Sequence, residues 1–245
     1  MIKLTFLWTL CLFLLPLLLV QGLYARRTTM RLSEAPGLGE SQVRVDAHII
    51  GLGDSVIAGV GIDEIAHALT AQVAVSVSEK SGRSVSWSSH GVNGDRVRDL
   101  IARIKLLPIE RPSLLLISIG VNDVSHFTSL TVWQLEISNL IADLKDKYKA
   151  PILFIGLPPM DQFPALPQPL RFALGVRAAM LDHTLKRAGE LIRDVHWYQT
   201  SMKPNKLALA KDGYHPSAKA CSILSMEIAT FLAGKIFIEN SEGLK

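Results

Sequence analysis

Apolar positions along the 245-residue chain fall into two alternating regimes. Short runs of strand length, VDAHIIG (45–51), SVSWSSH (84–90), LLLISIG (114–120), PILFIGL (151–157) and DVHWYQ (194–199), are separated by longer stretches where apolar residues return every third or fourth position. The longer stretches predict helices over 62–80, 95–107, 129–149, 171–193 and 217–238. Leu100, Ile101, Ile104 and Leu107 recur at helical spacing, as do Leu135, Leu140, Ile141 and Leu144, each set interrupted by charge on the other face. Strands that read as nearly unbroken apolar runs are buried on both faces. Five of them alternating with five helices predict an α/β domain, a three-layer α/β/α sandwich around a central five-stranded parallel sheet. In such a sheet, ligands meet the loops at the carboxyl ends of the strands.

Residues 4–25, LTFLWTLCLFLLPLLLVQGLYA, depart from this alternation: 22 positions carry no charge. At ~1.5 Å per residue an unbroken helix of that length matches the roughly 30 Å of a bilayer core. Residues 1–25 therefore read as an N-terminal apolar helix, a membrane anchor or signal segment. A polar linker punctuated by Pro36, Gly37 and Gly39 follows over 26–44, and the folded domain occupies 45–240. Leu23 and Ala25 make a poor small-x-small cleavage site, and arginines directly after the apolar run hinder export. This favours a single retained span in the cytoplasmic membrane over a cleaved signal with a periplasmic or secreted product. Arg26, Arg27 and Arg31 slightly outweigh Lys3 and the amino terminus, which tilts the domain towards the cytoplasm.

Charge and cysteine content narrow the partners. The net +4 resides in the first 33 residues, which hold four basic groups and no acid; the remainder is balanced and has no basic cluster, which argues against a nucleic-acid face. Cys11 and Cys221 supply neither a disulfide framework nor a four-ligand zinc site. The expectation is a monomer acting on a small molecule, with no metal and no cofactor.

The stretch GLGDSVIAGVG (51–61) places four glycines around an acidic residue and a serine at the end of the first strand. A dinucleotide fingerprint fails because Val56 stands where the third glycine permits close helix-to-strand contact, and the Gly-Lys-Ser/Thr ending of a phosphate loop is absent. Two readings stay open for Ser55: an N-cap in a plain strand-to-helix turn, or a nucleophile where the opening of a helix favours negative charge. A nucleophilic serine needs a base within reach and a third group to orient it. Among seven histidines, His48, His67, His183 and His196 lie inside predicted strands or helices, while His90 and His126 sit near strand ends.

His215 differs. In KDGYHPS, Asp212 precedes it by three positions in a glycine-containing turn ahead of Pro216. That spacing lets a carboxylate fix the imidazole tautomer and stabilise its cation; an Asx turn with a solvent-facing ring is the alternative. HGVNGDRV (90–97) offers bare amides at Gly91 and Gly94, and IGVNDV (119–124) offers the side-chain amide of Asn122, both suited to an oxyanion. Ser55, Gly94, Asn122 and the Asp212–His215 pair all fall at the same end of successive strands. The segment LPPMDQFPALPQPL (157–170) holds five of the chain's 12 prolines. Its Met160, Phe163, Leu166 and Leu170, with Phe172 beyond, either line an acyl groove or pack the loop onto the domain.

Taken in order, GDSVIAGVG, GVNGDRV, GVND and DGYHPS closely resemble the four blocks of the SGNH hydrolases, the GDSL esterase/lipase family, over nearly the whole chain from about residue 45. The resemblance implies a flavodoxin-like fold and a cofactor-free serine esterase that cleaves acyl esters through an acyl-enzyme. It further implies Ser55 as nucleophile, His215 as general base and acid, Asp212 as the orienting carboxylate, and an oxyanion hole from the Ser55 amide, the Gly94 amide and the Asn122 side chain. Val56 stands where the family has leucine, a conservative change. Asp54 and Asp123 are expected to support the loops. Lysophospholipids and thioesters are within the implied substrate range. A deacetylase of acetylated cell-envelope carbohydrate and a non-catalytic flavodoxin-like binding module are the rival readings.

Overall fold

A computed structural model describes residues 1–41, 46–201, 203–205 and 207–233. Five strands, β1 (Ala47–Gly53), β2 (Val85–Gly91), β3 (Leu114–Ser118), β4 (Ile152–Ile155) and β5 (Val195–Tyr198), pair in parallel in the order β2-β1-β3-β4-β5. The expected α/β sandwich is therefore the one observed. Successive side chains of a strand face opposite layers, and the core divides accordingly. Ile50, Leu52, Leu115, Ile117 and Phe154 pack on one side, with Ile49, Leu114, Leu116 and Leu153 on the other.

The first face is covered by α4 (Val97–Ile104), α6 (Leu130–Tyr148) and α7 (Leu170–Leu191), the second by α3 (Leu69–Ser81) and α8 (Ala218–Ala233). Within α6, Leu140, Ile141 and Leu144 are buried as their spacing predicts, but Leu135 points to solvent. The stretch from residue 62 is not helical throughout: a 3-10 turn at Ile65–His67 precedes α3. A five-residue helix, α5 (Val121–Ser125), lies directly after β3 and escapes any periodicity argument because it is little longer than one turn. Residues 42–45 and 234–240, on which ends of the expected linker, first strand, last helix and domain fall, lie outside the described residues.

The apolar leader departs from the expected single span. It forms two helices, α1 (Ile2–Leu12) and α2 (Leu15–Thr28), bent by 85°. Pro16 explains the break: it brings no N–H, and its ring collides with the carbonyl of residue 12, where α1 ends. Among the described residues no single helix is long and apolar enough to cross a membrane, although the bent pair would be if taken together.

Both leader helices lie against the domain. Cys11 and Leu18 join the core beside α7, Trp8 stacks under the Arg177 guanidinium at 5.0 Å, and Arg177 also donates to the Thr128 carbonyl. The segment after α2, expected as a linker, is likewise docked. Ala35 N–H donates to Ala58 O (3.1 Å), Ile65 N–H to Pro36 O (2.9 Å) and Ser89 N–H to Gly39 O (2.6 Å), and Glu40 forms an antiparallel bridge to Ser88 of β2.

Candidate active site

The carboxyl ends of β1, β2 and β3 converge on one cavity of about 920 Å³, whose lining includes Ser55, Gly94, Asn122, Asp212 and His215. Each of these residues arrives by a local device. Gly53, the last residue of β1, has φ +154°, and a β-carbon there would sit 1.9 Å from the Ser118 carbonyl oxygen. Only glycine permits so close a crossing of β1 and β3. The chain then turns sharply: Asp54 N–H donates to Ser118 O (3.0 Å), Ala58 N–H to Asp54 O (3.0 Å) and Val60 N–H to Ser55 O (3.0 Å). No regular helix opens at Ser55, since residues 54–61 are turns and α3 begins only at Leu69. Neither the N-cap reading nor a helix dipole at the serine applies.

Asp212 and His215 satisfy both readings of their turn at once. Asp212 Oδ1 accepts the Tyr214 and His215 amides at 2.9 and 3.1 Å, forming the Asx turn, while Oδ2 meets His215 Nδ1 at 2.5 Å. Burial by itself would raise the Asp212 carboxyl; the imidazole and the two amides outweigh it and hold the group below its ordinary value. With Nδ1 engaged by the carboxylate, Nε2 is the nitrogen left for proton transfer.

Gly94 adopts φ +91°, a region closed to most side chains, and nothing lies within 4 Å of where its β-carbon would be. Asn122 Nδ2 donates to the Asp95 carbonyl at 3.0 Å, which fixes the amide and leaves it a second hydrogen. His126, considered as a base from its position, also lines the cavity, but its Nδ1 donates to the Asn122 carbonyl at 2.8 Å. His90 has its basicity lowered, chiefly by burial. Among the described residues no three His, Cys, Asp or Glu side chains gather into a metal-binding group.

Arg103 is the residue that sequence reasoning misses. Its guanidinium donates to the carbonyls of Gly53 (3.1 Å) and His90 (2.9 Å), and to Asp95 Oδ2 at 2.6 and 3.1 Å. It thereby ties the ends of β1 and β2 to the loop whose Asp95 carbonyl anchors Asn122. The available signal is slight: Arg103 lies three positions after buried Leu100 on α4, at the margin of its apolar face.

Two buried carboxyls support these loops. Asp123 accepts from Val97 N–H (3.1 Å) and the Thr128 hydroxyl (2.9 Å), and burial raises it. Asp54 is pushed up to about 7 by burial, against the Val56 amide at 3.2 Å and the His215 charge. Unfolded, that carboxyl titrates near its ordinary value of about 4. Between about pH 4 and 7 the folded chain therefore holds a proton that the unfolded chain has lost, so the contribution of Asp54 is present in acid and disappears as pH rises through 7. Relative to wild type, Asp54→Asn is expected to gain stability across that window and level off above it, read as the difference in urea midpoints. A constant difference from pH 4 to 8 would contradict the raised value.

Of the rim residues, Met160, Leu166 and Leu170 line the cavity, whereas Phe163 packs edge-on to the Tyr214 ring at 6.2 Å and Phe172 is exposed outside the lining. The profile of the GDSL-like lipase/acylhydrolase family matches residues 52–221. The chain belongs to that family. Its members are carboxylic ester hydrolases, and so is this protein.

The GDSL fold is shared with solved structures of low identity. A lipase/acylhydrolase from Enterococcus faecalis is 20% identical, with 78% of this chain and 97% of that one covered and a TM-score of 0.57. A psychrotrophic esterase from Pseudoalteromonas sp. is 17% identical, with 79% and 100% covered and a TM-score of 0.59. An acetylxylan esterase from Geobacillus stearothermophilus is 19% identical, with 79% and 95% covered and a TM-score of 0.54. No curated protein sequence matches the chain significantly.

Proposed function

We propose that this GDSL hydrolase cleaves small acyl esters through an acyl-enzyme on Ser55. The observation that carries the reading is the 2.5 Å contact of His215 with Asp212 in the cavity that Ser55, Gly94 and Asn122 also line. His215 Nε2 takes the Ser55 proton as Oγ attacks the acyl carbonyl, and Asp212 stabilises the resulting imidazolium. The amides of Ser55 and Gly94 and the free N–H of Asn122 hold the oxyanion. The imidazolium then protonates the departing alcohol, and water, deprotonated by the same ring, releases the acid and restores Ser55.

A fluorophosphonate probe tests this without knowledge of the substrate. It should deposit its phosphonyl group on the peptide containing Ser55, mapped by mass spectrometry; a lack of adduct, or an adduct on another residue, would refute the assignment. Deacetylation of carbohydrate is a second reading, favoured by the likeness to an acetylxylan esterase. The apolar share of the cavity, with Leu18, Met160, Leu166, Leu170 and Leu174 in its wall, supports an acyl chain longer than acetyl.

The leader associates with a membrane in this reading. Phe6, Phe13, Val20 and Tyr24 are exposed along it, and Lys3, Arg26 and Arg27 flank them, a pattern suited to the interface of an anionic bilayer. Arg26 and Arg27 in the last turn of α2, with Arg31 beyond it, favour a cytoplasmic domain if the leader inserts.

A further inference from the structure

One wall of the catalytic cavity, next to the rim loop, comes from the leader. Leu18, Gly22 and Ala25 recur at spacings of four and three, so they form one stripe along α2; they line the cavity that contains Ser55 together with the flanking Leu19, Leu23 and Arg26 and the C-cap residue Thr29. Leu18 and Ala25 are buried, which fixes this stripe as the face turned to the domain. Between them, a β-carbon at Gly22 would meet nothing within 4 Å. The inward face of α2 is thus packed at both ends and open in the middle.

That position is built from several contacts. Gln21 Nε2 donates to the Gln168 carbonyl at 2.7 Å while its Oε1 accepts the Leu170 amide at 3.0 Å, so one side-chain amide pins α2 to the backbone of the rim loop. Leu18 is buried in the main core, and Trp8 of α1 stacks on Arg177 of α7. Met160, Leu166, Leu170 and Leu174 line the same cavity as Gly22. The result is an apolar slot between α2 and the start of α7, continuous with the space in front of Ser55 and His215.

From this geometry we infer that α2 forms the acyl-binding wall of the active site, with the Gly22 gap receiving the alkyl chain of the ester. The inference rests on the proposed hydrolase reading and assigns the leader a part in substrate selection distinct from anchoring. Chain-length preference follows from the space beside Gly22 and the bulk of Leu18 at its end. A β-carbon at position 22 of this cavity-lining stretch meets no heavy atom within 4 Å, and in a helix interior any ordinary residue there also removes the helix penalty of glycine.

The test measures kcat/KM for 4-nitrophenyl acetate, butyrate, octanoate and dodecanoate with the full-length protein held in amphipol. Gly22→Phe should lower the octanoate-to-acetate ratio about tenfold or more, because displacing even one methylene from an apolar pocket has about that effect. Leu18→Ala should move the preferred length upward by about two carbons, through the space its truncation leaves. Val20→Phe, on the exposed outer face, should keep the wild-type profile.

Should Gly22→Phe fail to fold, judged by its melting curve, the Leu18→Ala profile decides alone. Wild-type turnover with both Gly22→Phe and Leu18→Ala profiles superimposed on it overturns the α2 wall and leaves the hydrolase reading intact. A wild type that hydrolyses none of the four esters overturns both.

Discussion

Ser55→Ala is expected to lower kcat for 4-nitrophenyl acetate by roughly 10⁶-fold, the scale on which loss of a serine nucleophile removes the concerted action of a triad. A methyl group cannot form the ester bond, and His215 then has no hydroxyl to deprotonate. The oxyanion donors at Gly94 and Asn122 are untouched, so a residual acceleration of about 10³- to 10⁴-fold over water should persist. Ser55 is almost wholly buried at a turn held by main-chain bonds, including Val60 N–H to its own carbonyl, so alanine keeps the local backbone. Circular dichroism and the melting curve should therefore match wild type. A loss of tenfold or less, in folded protein, would mean that another group attacks.

The second large effect is expected at Asp212, and its logic is tautomeric. Asparagine can preserve the Asx turn, because its carbonyl oxygen accepts the Tyr214 and His215 amides as Oδ1 does now. Its amide nitrogen, however, would face His215 Nδ1 as a donor. The ring would then carry its proton on Nε2, the nitrogen required to accept one from Ser55. Asp212→Asn should reduce kcat by about 10⁴-fold with little change in KM, as follows when an interaction made chiefly in the transition state is lost. An unchanged kcat would show that the carboxylate only shapes the turn. Because the Asp212 carboxyl is held below its ordinary range, it stays ionised throughout the neutral region where the two proteins are to be compared.

These expectations depend on residues whose arrangement was legible from sequence to differing degrees. The run Leu114–Ser118 is buried on both sides, and its alternate residues enter different cores; a continuous apolar run bounded by polar segments is the signature of such a strand. The first three blocks are legible as strand ends that carry glycine or a polar residue, such as Gly94 with its positive φ, whereas Asp212 and His215 lie in the turn ahead of α8 and are marked only by a carboxylate three positions from an imidazole.

What stayed hidden lacked a local signature. The apolar length of the leader carries no sign of the 85° bend that Pro16 imposes between α1 and α2. The segment 29–41 looked like a linker because isolated main-chain bonds to Ala58, Ile65 and Ser89 leave no periodic trace. Arg103 resembles any cation at the margin of an amphipathic helix; only folding brings the ends of β1 and β2 and the Asp95 loop around it. The helix expected at Ser55 failed because glycine-rich turns can be stabilised by bonds to β3, a partner more than 60 positions away.

The antiparallel bridge from Glu40 to Ser88 bears on how the protein stays apart from its neighbours. In the observed order β2 is an outermost strand, and such a strand offers unpaired amides and carbonyls to any extended peptide that drifts past. Residues 39–41 occupy part of that margin by bonding to Trp87, Ser88 and Ser89. Cutting the chain immediately before β1 would strip off this guard and invite self-association by strand addition, whereas a truncation that spares the docked segment would keep it.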